Sequence, residues 1–244
     1  MNRKYMLRNV ICVILIVFAF LCFAHMKKAD QYISTEKEEF LNENVCIYYP
    51  QFSGWSSCRK TERINTLIVE QLEMIIEQGE ANKDEDSEFV LQLDYELGYV
   101  DEKFISIYYT GKCGYITAGQ GPSYFAFSTN IDATNEKVIT LDEFIIDLDA
   151  LSSLLLNDEF EYSSTWDGET GKDLISRQYK GREQLLLERL NQKSFDLANH
   201  YMQWYIMEDR FVFVSFPGNA YSEYVISIEK ISCIIEKKYS KFIM

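Results

Sequence analysis

Phe89, Leu91, Leu93, Tyr95 and Leu97 alternate with other residues without a break. This period of two restricts the fold more than any other feature of the chain, because it requires a strand with one buried and one wetter face. Two further runs follow. Ile105, Ile107 and Tyr109 share one side of a strand expected near Lys103–Thr110, after a turn at Asp101-Glu102. Phe125, Phe127, Thr129 and Ile131 do the same over Ser123–Asp132, beyond a glycine-bearing loop from Gly111 to Gly121. An earlier strand is read at Val45–Tyr49, ended by Pro50. Three late ones are read at Trp204–Met207, Phe211–Phe216 and Tyr224–Ile228, with turns at Glu208-Asp209 and Pro217-Gly218-Asn219.

Between these runs the period changes. Ile64, Leu67, Ile68, Leu72, Ile75 and Ile76 recur at three and four, so a helix is expected over Arg59–Gln78 with Gly79 as its C-cap. Thr140-Leu141-Asp142-Glu143 has the form of a capping box opening a helix through Leu155. A helical stretch runs from Ile175 toward His200 with a break at Gly181, and a short helix covers Glu229–Tyr239. Strand, helix, three strands, helices, three strands and helix make an α+β fold, an antiparallel sheet with helices packed on it. With 244 residues, 3 Pro and 11 Gly, there is no long flexible linker, and residues 43–244 read as one module folding as a single unit.

The N-terminus stands apart. Arg3, Lys4 and Arg8 precede an uncharged run from Asn9 to Met26, closed by Lys27 and Lys28. Eighteen helical residues span about 27 Å, close to a hydrocarbon core of about 30 Å. Residues 1–26 therefore read as a membrane anchor with its basic end inside, or as a cleaved signal segment with Cys22 and Ala24 at the small-residue positions. Residues 27–42 are polar and read as a short stalk, and the C-terminal domain lies outside the cell, tethered or secreted.

Charge narrows the partners. The chain carries 24 basic and 38 acidic residues, net -14, which argues against a nucleic-acid partner for want of a basic footprint. Only three basic residues and no acid lie before Lys27, so the exported part has 21 basic and 38 acidic residues, net -17. Such a domain repels anionic polymers and attracts basic partners.

Chemistry is sparse. Two histidines, His25 and His200, leave little room for imidazole catalysis or a histidine-rich metal site. Asp84, Asp86 and Glu88 have ligand-like spacing but lack the glycine a calcium loop needs. Asp167–Asp173 lacks the full phosphate-loop spacing. No catalytic residue, metal site or cofactor is assigned. Cys46, Cys58, Cys113 and Cys233 lie in the exported part, where disulfides are permitted, and admit three pairings.

Three stretches carry a resemblance. Ile47-Tyr48-Tyr49-Pro50 through Ile64-Asn65, Phe125-Ala126-Phe127 through Lys137-Val138-Ile139-Thr140-Leu141, and Trp204-Tyr205-Ile206 through Val212-Phe213-Val214-Ser215-Phe216 occur in one order over residues 43–230. In this the chain resembles the extracellular module of unknown function found in RsiV-type anti-sigma factors and ahead of the catalytic domain in PdaC-type peptidoglycan deacetylases. The turn Thr117–Pro122 lacks the histidine that the family often has there. Eight residues before the apolar run are too few for a sigma-binding segment, and no catalytic domain follows the module in this sequence. What the resemblance implies is the binding module alone. Some RsiV-type ectodomains are lysozyme receptors, so a basic protein such as lysozyme, or a cell-wall component, is the implied partner. Trp55, in the first loop, is the expected exposed anchor. The competing expectation is a carboxylate-dependent hydrolase of cell-wall polymer, which needs two carboxyl groups about 5–10 Å apart in a cleft.

Overall fold

A computed structural model describes residues 33–55, 57–117, 121–164, 174–192, 197, 202–215 and 222–243. The chain opens with β1 (Ser34–Asn42) and β2 (Val45–Ser53), crosses through α1 (Cys58–Ala81), and returns as β3 (Glu88–Val100), β4 (Phe104–Ile116), β5 (Ser123–Asp132) and β6 (Lys137–Val138). These strands form one sheet in chain order. Every junction is antiparallel except β2–β3, which is parallel where Val45–Ile47 meets Leu91–Leu93. The helix accounts for that exception, since a parallel neighbour needs a crossover of a dozen residues or more.

The second half builds α2 (Leu141–Phe144), α3 (Leu148–Leu156), β7 (Glu161–Ser164), α4 (Leu174–Tyr179), α5 (Glu183–Leu190), β8 (Gln203–Met207), β9 (Arg210–Ser215), β10 (Ser222–Ser227), α6 (Ile228–Ile231) and α7 (Lys237–Ile243). Its four strands make a second, antiparallel sheet in the order β7-β10-β9-β8. The fold is α+β, with two sheets where the sequence suggests one.

Alternation decides what each face buries. Ile105, Ile107 and Tyr109 of β4 face α1, whose Ile64, Leu67, Ile68, Leu72 and Ile75 are all buried against the first sheet. Each such side chain contributes about 1.5–3 kcal/mol of gross transfer energy, which makes this helix the main cover of the inner face. The other residues of β4, Phe104, Ser106 and Tyr108, are buried as well. They lie on the outer face, beneath the second sheet and its helices.

Several boundaries differ from the sequence reading, each for a physical reason. Ser34–Asn42, read as part of a stalk, is an edge strand paired along its whole length with β2. Pro50 does not end β2; it pairs with Lys37, where the ladder to β3 has already stopped at Ile47. The Gly111–Gly121 loop is half strand, because β4 continues to Ile116. The helix expected through Leu155 divides at Ile145, which bridges to Ile235, and Asp147 recaps α3 through Ala150 N–H at 2.9 Å. The break at Gly181 is present, with φ +74°. His25, His200, residues 118–120 of the family turn and Asp167–Asp173 lie outside the described residues.

Gly79 is not a cap. It is buried within α1, Asn82 closes the helix, and a methyl group at residue 79 would overlap the Phe89 ring. Alanine in a helix is ordinarily better than glycine by about 1 kcal/mol. Here Gly79→Ala is expected to destabilise by about 1–3 kcal/mol, since Phe89 is itself buried in the core and cannot yield. Chemical denaturation checks the sign, and a raised midpoint would contradict this packing.

Candidate functional site

Polar residues recur at every second position of the outer face: Ser106, Tyr108 and Thr110 on β4, and Ser128, Asn130 and Asp132 on β5. The sequence reading passed over them in favour of their apolar neighbours. Their job is visible at β8, the edge strand of the second sheet. Ser128 Oγ and Asn130 Nδ2 both donate to Trp204 O at 2.7 Å. Ser106 Oγ accepts from Ile206 N–H at 2.9 Å and donates to Asn130 Oδ1 at 2.7 Å. Gln203 Oε1 accepts from Ser128 N–H at 3.2 Å. The backbone approaches too, with Glu208 N–H donating to Gly98 O at 3.3 Å. A Cβ on Gly98 would collide with Ile206 O, so glycine is required there.

A second polar centre joins the C-terminus to β5. Asp132, 2% exposed, accepts from Thr134 and Asn135 N–H through Oδ1. Its Oδ2 accepts from Asn135 Nδ2 (2.7 Å), Tyr239 Oη (3.1 Å) and Lys238 Nζ (3.3 Å). Burial alone would raise its pKa, but these donors outweigh burial and hold the carboxyl below its usual range. Burial and the Asp132 charge together push the Tyr239 phenol up. Tyr108 and Tyr205 stack at 4.1 Å and donate to the same oxygen, Glu223 Oε1, at 2.8 and 3.2 Å.

The best-formed cleft lies at the β5 edge, where Gln71 of α1, Thr140, Arg189, Gln192, Gln203 and Trp204 converge. Its volume is about 110 Å³, below the ~300–1,000 Å³ typical of small-molecule sites. Arg189 is the one charged side chain in its lining. The cleft offers hydrogen bonds and a cation, and among the described residues it has no acid–base pair. Asp132 is the one buried carboxylate of the described residues. Its oxygens are occupied by these donors, and no second buried carboxyl group lies beside it among the described residues.

On the open part of the outer face, Lys37 Nζ lies 4.0 Å from the centroid of the Tyr48 ring and donates to both oxygens of Asp94 at 2.8 and 3.0 Å. That hydrogen bond holds Asp94 low. Tyr48 is pushed up to about 12 by its hydrogen bond to Glu39, reinforced by the carboxylate charge.

Trp55 is not exposed. It is 8% accessible, edge-on to Phe52 at 5.6 Å, with Lys60 Nζ over its ring and its indole N–H without a partner. The first loop folds back onto the inner core beside α1, and that removes the residue from the surface. The four cysteines are brought to no common point: all are free thiols, Cys58 and Cys233 exposed, Cys46 half-buried and Cys113 buried. Burial pushes the Cys113 thiol up to about 12. No group of metal-ligating side chains occurs among the described residues.

No protein-family model matches the chain, and no curated protein matches its sequence. Among solved structures it is similar to a member of the DUF3298 family from Bacteroides fragilis, at 12% identity and a TM-score of 0.47, over 87% of this chain and 96% of that one. It is also similar to a DUF3298 family protein from Pseudomonas aeruginosa PAO1, at 11% identity and a TM-score of 0.48, over 85% and 96%.

Two substitutions test the polar centres. Asn130→Ala strips Trp204 O of a donor and Ser106 of its acceptor in a dry seam, and is expected to cost about 1–3 kcal/mol by urea denaturation. A loss below about 0.5 kcal/mol would mean the seam does not hold the sheets. Asp132 contributes stability above the unfolded carboxyl pKa of about 3.9, lost as pH falls through its depressed native value. Asp132→Asn should therefore be less stable at neutral pH by about 1–3 kcal/mol. Its stability should also fall less than that of the parent between about pH 4 and 2. Parallel acid profiles for the two proteins would contradict this role.

Proposed function

We propose that the chain is an exported, non-catalytic binding or sensor module, tethered at the bacterial cell surface through residues 9–26, whose partner is a basic protein such as lysozyme. The observation that carries this reading is the net charge of -17 on the residues after Met26. The resemblance to RsiV-type and PdaC-type ectodomain modules points the same way. Among the described residues no helix is long and apolar enough to cross a membrane, and the apolar run lies outside them.

Tethering has a geometric consequence. The first strand begins at Ser34, so residues 27–33 alone separate it from the apolar run. Seven residues reach at most about 25 Å, which keeps the module against the membrane surface. The turn after Asn42 lies at the opposite end of β1 from Ser34.

Two measurements test the reading. Protease added to intact cells should remove the C-terminal domain, and a mature N-terminus at His25 would replace the tether with secretion. Titration calorimetry of the detergent-solubilised full chain with lysozyme should show binding that weakens at least tenfold between low salt and about 0.15 M, where exposed charges are screened over about 8 Å. No heat at tens of micromolar at either salt would remove lysozyme as the partner.

A further inference from the structure

We infer that the docking surface is the open outer face of the first sheet, and that what docks there is a basic protein surface; this rests on the reading of the chain as a binding module. The register defines the face. Leu41, Cys46, Gln92, Lys112 and Tyr124 lie opposite one another across β1 to β5. Four strand spacings of about 4.8 Å make this row about 19 Å wide. The next row carries Glu39, Tyr48, Asp94 and Thr110. Beyond it Glu96 stands opposite Tyr108, and there the second sheet rises as a step, with Tyr205 stacked on Tyr108.

Two independent properties single this face out. Six large apolar side chains are exposed among the described residues, and three of them are here: Leu41 at 64%, Tyr124 at 57% and Ile116 at 45%. Leu41 and Tyr124 stand at the two ends of the row and Ile116 beyond it on β4, so they are separate anchors spaced across the face on either side of the partly covered Tyr48, not one contiguous patch. The charges supply the complementarity. Glu39, Glu88, Asp94 and Glu96 project from this face against Lys37 and Lys112, and Lys37 is already engaged by Asp94. An excess of carboxylates around apolar anchors favours a partner with lysines and arginines around its own apolar contacts. The face is also set before binding. Its side chains stand on paired strands, and Tyr48 is fixed between Lys37 and Glu39, so little ordering remains to oppose association.

The test is a titration of the full chain in detergent with lysozyme, and with ribonuclease A as a second basic protein, using three exposed substitutions. Tyr124→Ala removes an anchor, Glu96→Lys reverses a charge on the face, and Glu62→Lys makes the same charge change on α1, on the opposite side of the sheet. Circular dichroism confirms that each variant is folded. Tyr124→Ala and Glu96→Lys are each expected to weaken binding about tenfold, and Glu62→Lys less than twofold. Equal weakening by the two charge reversals with Tyr124→Ala unchanged overturns the docking face and leaves the basic-partner reading standing. Binding of neither basic protein by the unsubstituted chain overturns that reading and the inference with it. Binding of soluble peptidoglycan fragments that Tyr124→Ala abolishes, with neither basic protein bound, replaces the inference with a glycan-binding face.

Discussion

The outward edge of β8 is closed by side chains instead of by another strand. A strand edge presents unpaired N–H and C=O groups, and in a dry interface each such group costs about 1–3 kcal/mol if left alone. Here Trp204 O, Ile206 N–H and the backbone after Met207 find Ser128, Asn130, Ser106 and Gly98 O. The second sheet can therefore stand with its edge on the outer face of the first. Without that arrangement Phe104 and Tyr108 would be uncovered, and the large core around Phe144, Trp204 and Phe211 would lose its floor.

The Asp132 centre makes the same junction from another direction. It gathers the turn after β5 and helix α7 around one carboxylate, and Tyr239 then packs on Phe104 and Phe144 at 6.0 and 5.5 Å. The seam and this centre both lie toward the end of the sheet where β4 begins and β5 finishes. The second sheet is thus fixed over Phe104–Tyr108 and the Gly98–Tyr99 end of β3, while Gln92, Asp94, Lys112 and Ile116 farther along β3 and β4 are exposed. The open platform follows from where the two polar centres sit.

Much of this fold was legible. The apolar halves of β3, β4 and β5, the stripe on α1, the break at Gly181 and the closing hairpin all follow from period and turn chemistry. The other half of each alternation was not. Ser106, Ser128 and Asn130 look like ordinary solvent-facing residues, because period two separates faces without saying whether both are covered. Their small, uncharged character beside the charged Asp94 and Glu96 of β3 was the available signal. β1 was missed because an edge strand rich in Glu and Lys has the composition of a linker. Trp55 was misplaced because a loop aromatic gives no local sign of whether its loop folds inward.

The same asymmetry bears on function. A chain with net -17 after its apolar run gains association rate with any basic partner, wherever the carboxylates lie. Rate alone does not make a specific complex, because exposed charges contribute little once salt screens them. Specificity needs desolvated contacts, and the cleft at Arg189 is too small to enclose a partner's side chains in any number. The sheet platform differs in combining Leu41, Ile116 and Tyr124 with carboxylates on paired strands. Its step, formed where Tyr108 and Tyr205 share Glu223, adds a wall that a flat sheet lacks. The polar seam that closes an exposed strand edge therefore also shapes the face proposed for docking.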